Sequence, residues 1–166
     1  MPDAHDPDLP PRGSEALRPR HPSRRSGFAR PLRPLNDGLE AAVCEAVFHY
    51  QLQQPLADAP QRPRYYVTWQ GRDPDDALLC QLRARGSEVQ PLSQCRVTAR
   101  DGVVDRKTGA RGVILQVARL TWVHAAAADV VGGYYITHRQ AASFRYRVAQ
   151  DGQHWAVTTA CLLWRV

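Results

Sequence analysis

A chain of 166 residues, 43% of them hydrophobic, is long enough to bury a sizeable core, and its formal net charge is +6. It has no run of about 18 apolar residues and no apolar signal segment, so we expect a cytoplasmic protein without membrane insertion. The aromatic-plus-basic motifs of nucleic-acid-binding modules are absent as well, so nucleic acid is not the partner we expect for the folded part.

Residues 1–36 combine repeated proline and arginine with no apolar period. Such a composition cannot repay the entropy lost on ordering, so it predicts a disordered Arg/Pro-rich tail before a single α+β domain at 37–166. Two interpretations of the tail stay open. It is either a solvated extension or mis-called start, or an arm that binds an acidic partner, nucleic acid or a membrane surface.

The folded part opens with a helix predicted over residues 38–53. Asp37 and Glu40 have the spacing of a capping box, and the apolar residues that follow recur every three or four positions. A strand, "RYYVTWQ", comes next. In "RDPDDALLCQLRARG", Asp73 as N-cap and Pro74 at the first helical position predict a second helix that ends before Gly86.

From Gln94 onward the pattern has a period of two, which predicts long antiparallel strands. "DGVVDRKTGARG" is interpreted as a polar connection between two of them, and Asp151-Gly152 predicts a hairpin turn. A bulge near Ala160-Cys161 would reconcile the two parities of the last strand. The predicted fold is a curved antiparallel sheet of four to six strands packed on two helices.

In "ADVVGGYYI", Gly132 and Gly133 lie inside a predicted strand. A phosphate-binding glycine loop should instead lead from a strand into a helix. The pair therefore predicts a bend, a bulge or the close approach of another group.

No known catalytic motif appears, and the four cysteines, Cys44, Cys80, Cys95 and Cys161, are too scattered for a zinc site. We expect no metal and no cofactor. The candidates for lining a ligand pocket are His49, Tyr50, Trp69, Asp129, Tyr134, Tyr135 and Trp155. For each, an ordinary packed or solvated role is the alternative, and no catalytic residue is assigned.

The closing segment "YRVAQDGQHWAVTTACLLW" resembles the final hairpin of the nuclear transport factor 2-like superfamily, and residues 112–166 also look like small uncharacterised bacterial proteins. The resemblance implies a cone-shaped sheet wrapped around helices, with a pocket inside and frequent dimerisation through the sheet. Neither Asp129, His49 nor Tyr134 aligns with the catalytic residues of that superfamily.

The first functional hypothesis is a non-enzymatic binding or interaction domain that holds a small apolar ligand or pairs, with itself or another protein, through its sheet. One alternative is an isomerase- or hydrolase-type enzyme with an acid or His plus a Tyr in the pocket. Another is nucleic-acid binding by the tail. A stripe of Arg119, Arg145 and Arg147 on the outer sheet face is the best candidate for contact with a partner.

Overall fold

The computed structural model describes residues 38–56 and 63–166, which hold two α-helices and eight β-strands. The helices are α1 (Leu39–Gln53) and α2 (Asp76–Ala84). The strands are β1 (Arg64–Trp69), β2 (Val89–Pro91), β3 (Cys95–Thr98), β4 (Gly102–Asp105), β5 (Gly112–His124), β6 (Ala127–Thr137), β7 (Gln140–Asp151) and β8 (His154–Arg165). The predicted α+β class is confirmed. The tail predicted at 1–36 lies outside the described residues.

Six strands form one sheet in the order β2-β1-β5-β6-β7-β8, while β3 and β4 form a separate antiparallel ribbon. The pairings from β5 to β8 are antiparallel, as the alternating pattern predicts. By contrast, β1 pairs in parallel with both β2 and β5. The chain runs from β1 through α2 to β2, and a helical crossover of this kind joins parallel strands. The sheet is therefore mixed, with the antiparallel meander as its larger part.

The two faces of the sheet have different covers. The helices cover what we call the inner face, where apolar side chains of α1, α2 and five strands form the main core. Examples are Val47, Phe48, Leu82, Leu115 and Val130. On the opposite outer face the β3–β4 ribbon covers one end of the sheet. There Tyr66 and Ile114 pack with Cys95 and Val103 in a smaller buried cluster.

The helix starts differ in detail from the prediction. In α2 the N-cap is Asp75, whose carboxylate accepts a hydrogen bond from the Leu78 backbone N–H at 2.8 Å. The predicted cap, Asp73, instead accepts from the backbone N–H of Ser93 at 2.8 Å, which fixes the turn between β2 and β3. In α1 the N-cap is Gly38, which makes no side-chain cap bond. Asp37, the predicted cap, lies outside the described residues.

The prediction of a polar connection over residues 101–112 is wrong in its first half. Gly102–Asp105 forms β4, and all four of its residues are buried. Only Val103 and Val104 are apolar there, which is too short a run for a period to be visible. The polar connection is limited to the residues between Asp105 and Gly112.

Irregular pairing interrupts both β5 and β8. In β5 the extra residues are Ala118 and Val123, and in β8 they are Thr158 and Leu163. The single bulge predicted near Ala160-Cys161 is thus replaced by two, one on either side of that position. Each such bulge bends its strand and increases its twist.

Within residues 38–56 and 63–166, neither helix has the combination of length and apolar composition that crossing a membrane requires.

Candidate functional site

A cavity of about 180 Å³ lies between the C-terminal end of α1 and the inner face of the sheet. Tyr50 and Gln51 of α1 line one side of it, and Tyr134, Phe144 and Tyr146 of the sheet line the other. We call this space the inner cavity. Because β-strand side chains alternate, the register of β6 with β7 places these three ring-bearing residues on one face.

The aromatic rings around the inner cavity contact one another. The Tyr50 and Tyr146 ring centroids are 5.7 Å apart in an edge-to-face arrangement, with 68° between the planes. Phe144 lies 5.8 Å from Tyr146 at 28°, and Tyr134 lies 6.5 Å from Phe144. Ring pairs at these distances hold each other in place, so the wall of the cavity is preformed.

Gln51 is a buried polar residue in the lining of the inner cavity, with 6% exposure. Its Nε2 donates to the Gln116 carbonyl oxygen at 3.2 Å and to the Tyr146 hydroxyl at 3.3 Å. Among the described residues, its Oε1 has no hydrogen-bond partner. A flipped amide would set Oε1 against the Gln116 carbonyl, so the donor side is fixed by that acceptor.

The double glycine beneath Gln51 makes this arrangement possible. A Cβ on Gly132 would collide with the Gln116 carbonyl oxygen and would lie 3.3 Å from Gln51 Nε2. On Gly133 it would collide with the Ala142 carbonyl oxygen of the neighbouring strand. Of the roles expected for this pair, the close approach of another group is therefore present, and at Gly132 that group includes a side chain of the cavity.

Burial raises the pKa of Tyr146 to about 12, although the hydrogen bond from Gln51 acts in the opposite direction. The phenol therefore stays protonated at neutral pH. In this state it serves as a hydrogen-bonding group and not as a base.

A second cavity of about 130 Å³ adjoins the first and shares Pro55, Leu56, Tyr134 and Arg165 with it. Arg139, in the turn between β6 and β7, also lines it. We call this space the mouth. None of the residues that line the inner cavity or the mouth is an Asp or Glu. Within the described ranges, neither of the two arginines forms an ion pair.

Of the seven residues predicted as pocket candidates, the structure brings Tyr50 and Tyr134 together in the inner cavity. His49 is half-buried on α1, and its Nε2 is buried without a partner among the described residues. Trp69 packs partly buried against the main core. None of the side chains that line the inner cavity comes from either of these two residues.

The other three candidates lie elsewhere. Asp129 is on the outer face, where its carboxylate accepts from Arg147 Nε at 2.6 Å and Nη2 at 3.1 Å. Tyr135 packs against the outer cluster under the β3–β4 ribbon. Trp155 stacks edge-to-face on Trp122 at 5.6 Å, and it lines a separate cavity of about 170 Å³.

Sequence reasoning missed Gln51, Phe144, Tyr146 and Arg165 as site residues. A signal for Gln51 exists, because it follows Val43 and Val47 at intervals of four and so continues the buried stripe of α1. A polar residue in such a stripe has to find a buried hydrogen-bond partner. No comparable signal identifies Arg165, since its place depends on the two bulges of β8.

A second buried polar side chain, Asp105, lies under the outer face with 5% exposure. Its Oδ2 accepts from the Tyr66 hydroxyl at 2.8 Å and from Arg64 at 3.2 Å. Its Oδ1 accepts from the backbone N–H of Lys107 at 2.9 Å, and from the backbone N–H and hydroxyl of Thr108 at 2.8 and 3.0 Å.

These bonds, led by the one from the Thr108 backbone, hold the pKa of Asp105 well below its ordinary value. Burial, followed by the hydrogen bond to Asp105, raises the pKa of Tyr66. The carboxylate therefore stays ionised and the phenol stays neutral, and the phenol donates its hydrogen bond to the carboxylate. The network ties the β4 turn to β1 and has a structural role.

The free edge of the sheet is apolar at its C-terminal end. Leu162, Leu163, Trp164 and Val166 are 54%, 45%, 50% and 62% exposed, respectively. Since β8 has no neighbour beyond it among the described strands, its backbone groups on that side are also unpaired within the sheet. Exposed apolar edges of this kind invite pairing with another chain.

The four thiols are spread across the structure, with Cys44 and Cys95 buried and Cys80 and Cys161 exposed. Over residues 38–56 and 63–166, no three side chains of His, Cys, Asp or Glu come together as a metal site.

Comparisons with known proteins add no family to this picture. Family models, curated proteins and solved structures were each compared with the chain, and none of the three comparisons gives a match. The resemblance to the nuclear transport factor 2-like superfamily accordingly stays a prediction, and function has to be inferred from the geometry of the two cavities.

Proposed function

We propose that the protein binds a compact, ring-sized small molecule in the inner cavity and does not transform it chemically. The ligand has an apolar body, which packs among the rings of Tyr50, Phe144 and Tyr146. It also has one hydrogen-bond donor, which reaches Oε1 of Gln51.

The observation that carries this proposal is the unpartnered Oε1 of Gln51. A buried acceptor left without a donor destabilises a protein by about 1–3 kcal/mol. The same amide uses both of its N–H groups, so the side chain is well placed and only its acceptor is free. Oε1 itself has less than 1 Å² of exposed surface, so the Gln51 amide has to turn slightly toward the cavity before a ligand donor can supply the missing bond.

The size of the inner cavity fits a single ring. Its volume is about 180 Å³, and an apolar cavity of about 150 Å³ is known to accept benzene. Aromatic walls with one fixed polar group are typical of small-molecule sites, in which the apolar surface gives affinity and the polar group gives orientation.

The chemistry of the lining supports binding over catalysis. The side chains around the inner cavity include no Asp, Glu, His or Cys, and the Tyr146 phenol is held neutral. An amide does not transfer protons at neutral pH. The enzyme hypothesis also needs Asp129 or His49 beside a cavity tyrosine, yet Asp129 is paired with Arg147 on the outer face and His49 does not line the inner cavity.

The test compares phenol with toluene, two probes of nearly equal shape of which only phenol is a donor. We expect phenol to bind about tenfold tighter, the ratio that one hydrogen bond of about 1.4 kcal/mol supplies. Without that bond the order would reverse, because phenol is better hydrated. Binding is followed by NMR through the shifts of the Gln51 side-chain amide and of residues around the cavity.

The variant Gln51→Met should abolish the preference for phenol, whereas Gln53→Met on the exposed side of the same helix should preserve it. Two results would contradict the proposal. One is that neither probe shifts the cavity resonances, and the other is that wild type binds phenol no better than toluene.

A second function, pairing with another copy of the chain, is favoured by the free edge of β8. Between Trp155 and Trp164 the strand has no charged residue and no proline, so it lacks the usual protection of an edge. In an antiparallel pair of two copies, the Arg165 side chains would lie at opposite ends. Like charges would then stay apart, and the exposed leucines would be covered.

The oligomeric state tests this second function directly. We expect sedimentation equilibrium to give the mass of a dimer, and the double variant Leu162→Lys with Trp164→Lys to give that of a monomer with unchanged circular dichroism. The matched control Leu39→Lys with Val97→Lys changes two exposed apolar residues that lie outside β8. A monomeric wild type at high micromolar concentration would refute pairing.

A further inference from the structure

Arg139 and Arg165 mark the mouth as the charged end of the site. Arg165 lines both the inner cavity and the mouth, and Arg139 lines the mouth. Arg165 pairs with Ala142 of β7, which puts its side chain on the inner face. Arg139 belongs to the β6–β7 turn, where its backbone N–H donates to Thr137 Oγ1 at 3.2 Å.

These two arginines differ from the four arginines of the described residues that form ion pairs. Ion pairs with Asp105, Glu45, Asp101 and Asp129 occupy other guanidinium groups of the described residues. No Asp or Glu lines the inner cavity or the mouth, and among the described residues no carboxylate lies within ion-pair distance of Arg139 or Arg165. Two cations beside the cavity create a positive potential at this end of the site, and since both arginines are exposed, salt screens it.

We propose that the ligand is a ring-sized carboxylic acid, with its ring and donor group in the inner cavity and its carboxylate at Arg165 and Arg139 in the mouth. This inference rests on the proposed small-molecule function and names the class of molecule bound. A guanidinium presents a planar fork of donors that matches a carboxylate. The donor group at the far end of the ring meets Oε1 of Gln51.

The two ends of the site then select different parts of one molecule. Gln51 requires a hydrogen-bond donor, and the arginines require an anion. The rings between them require a flat apolar body. A hydroxylated aromatic carboxylate satisfies all three requirements, and a neutral ring compound satisfies only two.

The experiment measures the binding of three probes, 4-hydroxybenzoate, 4-hydroxybenzamide and phenol, by calorimetry or NMR titration. The benzamide has the shape of the benzoate without its charge. We expect the benzoate to bind about tenfold tighter than the benzamide, a ratio in the range of one partly exposed charge-assisted contact. Added salt should weaken the benzoate and leave phenol unchanged.

Arg139→Gln, a change confined to the mouth, should reduce the preference for the benzoate while leaving the affinity for phenol intact. Arg165→Gln should remove most of the preference for the benzoate. The matched control is Arg145→Gln, an exposed arginine on the outer face of β7. It should leave all three affinities unchanged.

The outcomes separate the two proposals. If phenol and both benzoyl probes bind but the benzoate has no advantage, the carboxylate inference is refuted and the small-molecule function stands. If none of the three binds, both fall. An equal loss of benzoate affinity in the Arg145 control would show a general charge effect and would also refute the assignment to the mouth.

Discussion

Gln51 on the inner face and Asp105 under the outer face are both buried polar side chains, but they differ in how many hydrogen bonds they accept. Asp105 accepts five hydrogen bonds, from Tyr66, Arg64, Lys107 and Thr108. The side-chain Oε1 of Gln51 accepts none from the described residues. The difference separates a buried polar group with a complete set of hydrogen bonds from one whose acceptor is unpartnered among the described residues.

This contrast has a thermodynamic meaning. A fully bonded buried network stabilises the fold and specifies one arrangement of its elements. A half-bonded group reduces stability, and natural proteins keep such groups mainly where function requires them. Mutations in the outer network should therefore reduce stability, and mutations around the inner cavity should change ligand binding.

The largest expected effect is the loss of Asp105. Asp105→Ala leaves the Tyr66 hydroxyl, the Arg64 guanidinium and the N–H groups of the turn without their acceptor. We expect the greatest fall in Tm of all the variants considered, measured by thermal unfolding. Asp101→Ala, which removes a partly exposed carboxylate 3.8 Å from Arg111, serves as the control and should change Tm little. Equal effects of the two would show that the network is not structural.

The second-largest expected effect is a loss of stability in acid, caused by protonation of Asp105 in the unfolded state. The pKa of Asp105 is lower in the folded state than its ordinary value of 3.8, so its contribution to stability is present above that value. It is lost as pH falls below about 4 and the unfolded state gains a proton that the folded state does not. Urea unfolding between pH 5 and pH 2 should show this decline. Asp105→Asn should make the decline shallower, and an unchanged slope would contradict the assignment.

Tyr66→Phe removes one bond from the same network and should have a smaller effect. The carboxylate keeps its other donors, so we expect a loss of about 2 kcal/mol, in the range for a hydrogen bond to a charged group. Tyr65→Phe is the control, because no side-chain hydrogen bond of Tyr65 occurs among the described residues. Urea denaturation of both variants measures the difference. A loss no greater than that of the control would remove Tyr66 from the network.

Gln51→Met should change stability least. The variant loses two weak donor contacts but also removes an unpartnered buried acceptor, so the net change should be below about 1 kcal/mol. The same variant loses its preference for phenol. A loss of stability like that of Asp105→Ala would make Gln51 a structural residue and would end the contrast between the two faces.

Much of the fold follows from local signals. The repeating apolar positions of α1, the Asp-Pro-Asp-Asp start of α2 and the Asp151-Gly152 turn each predict their element within a few residues. The parallel pairing of β1 with β5 does not follow, because it joins residues 48 apart along the chain with no local marker, as in the pair Arg64 and Gly112. Strand β4 was not predicted, because two valines are too few to show a period.

The inner cavity is harder to predict than the fold. The sequence predicts only that Phe144 and Tyr146 lie on the buried face of a strand. Whether they line a cavity depends on which part of α1 packs against them. Asp129 looked like an acid near a strand start, but strand parity and its pairing with Arg147 place it on the other face. A one-residue difference in register decides such assignments, and sequence patterns rarely fix register so closely.

The parallel position of β1 has a further consequence, for the order in which the molecule folds. Strands β5 to β8 are joined by short hairpins, so their contacts are close along the chain and form early. The pairing of β1 with β5 closes a long loop, and such contacts form late. The helix α1, which precedes β1, closes the cavity from above. We therefore expect the aromatic residues of the sheet to take their places first and α1 to pack over them last. Phe144 and Tyr146 would then be exposed in any partly folded chain.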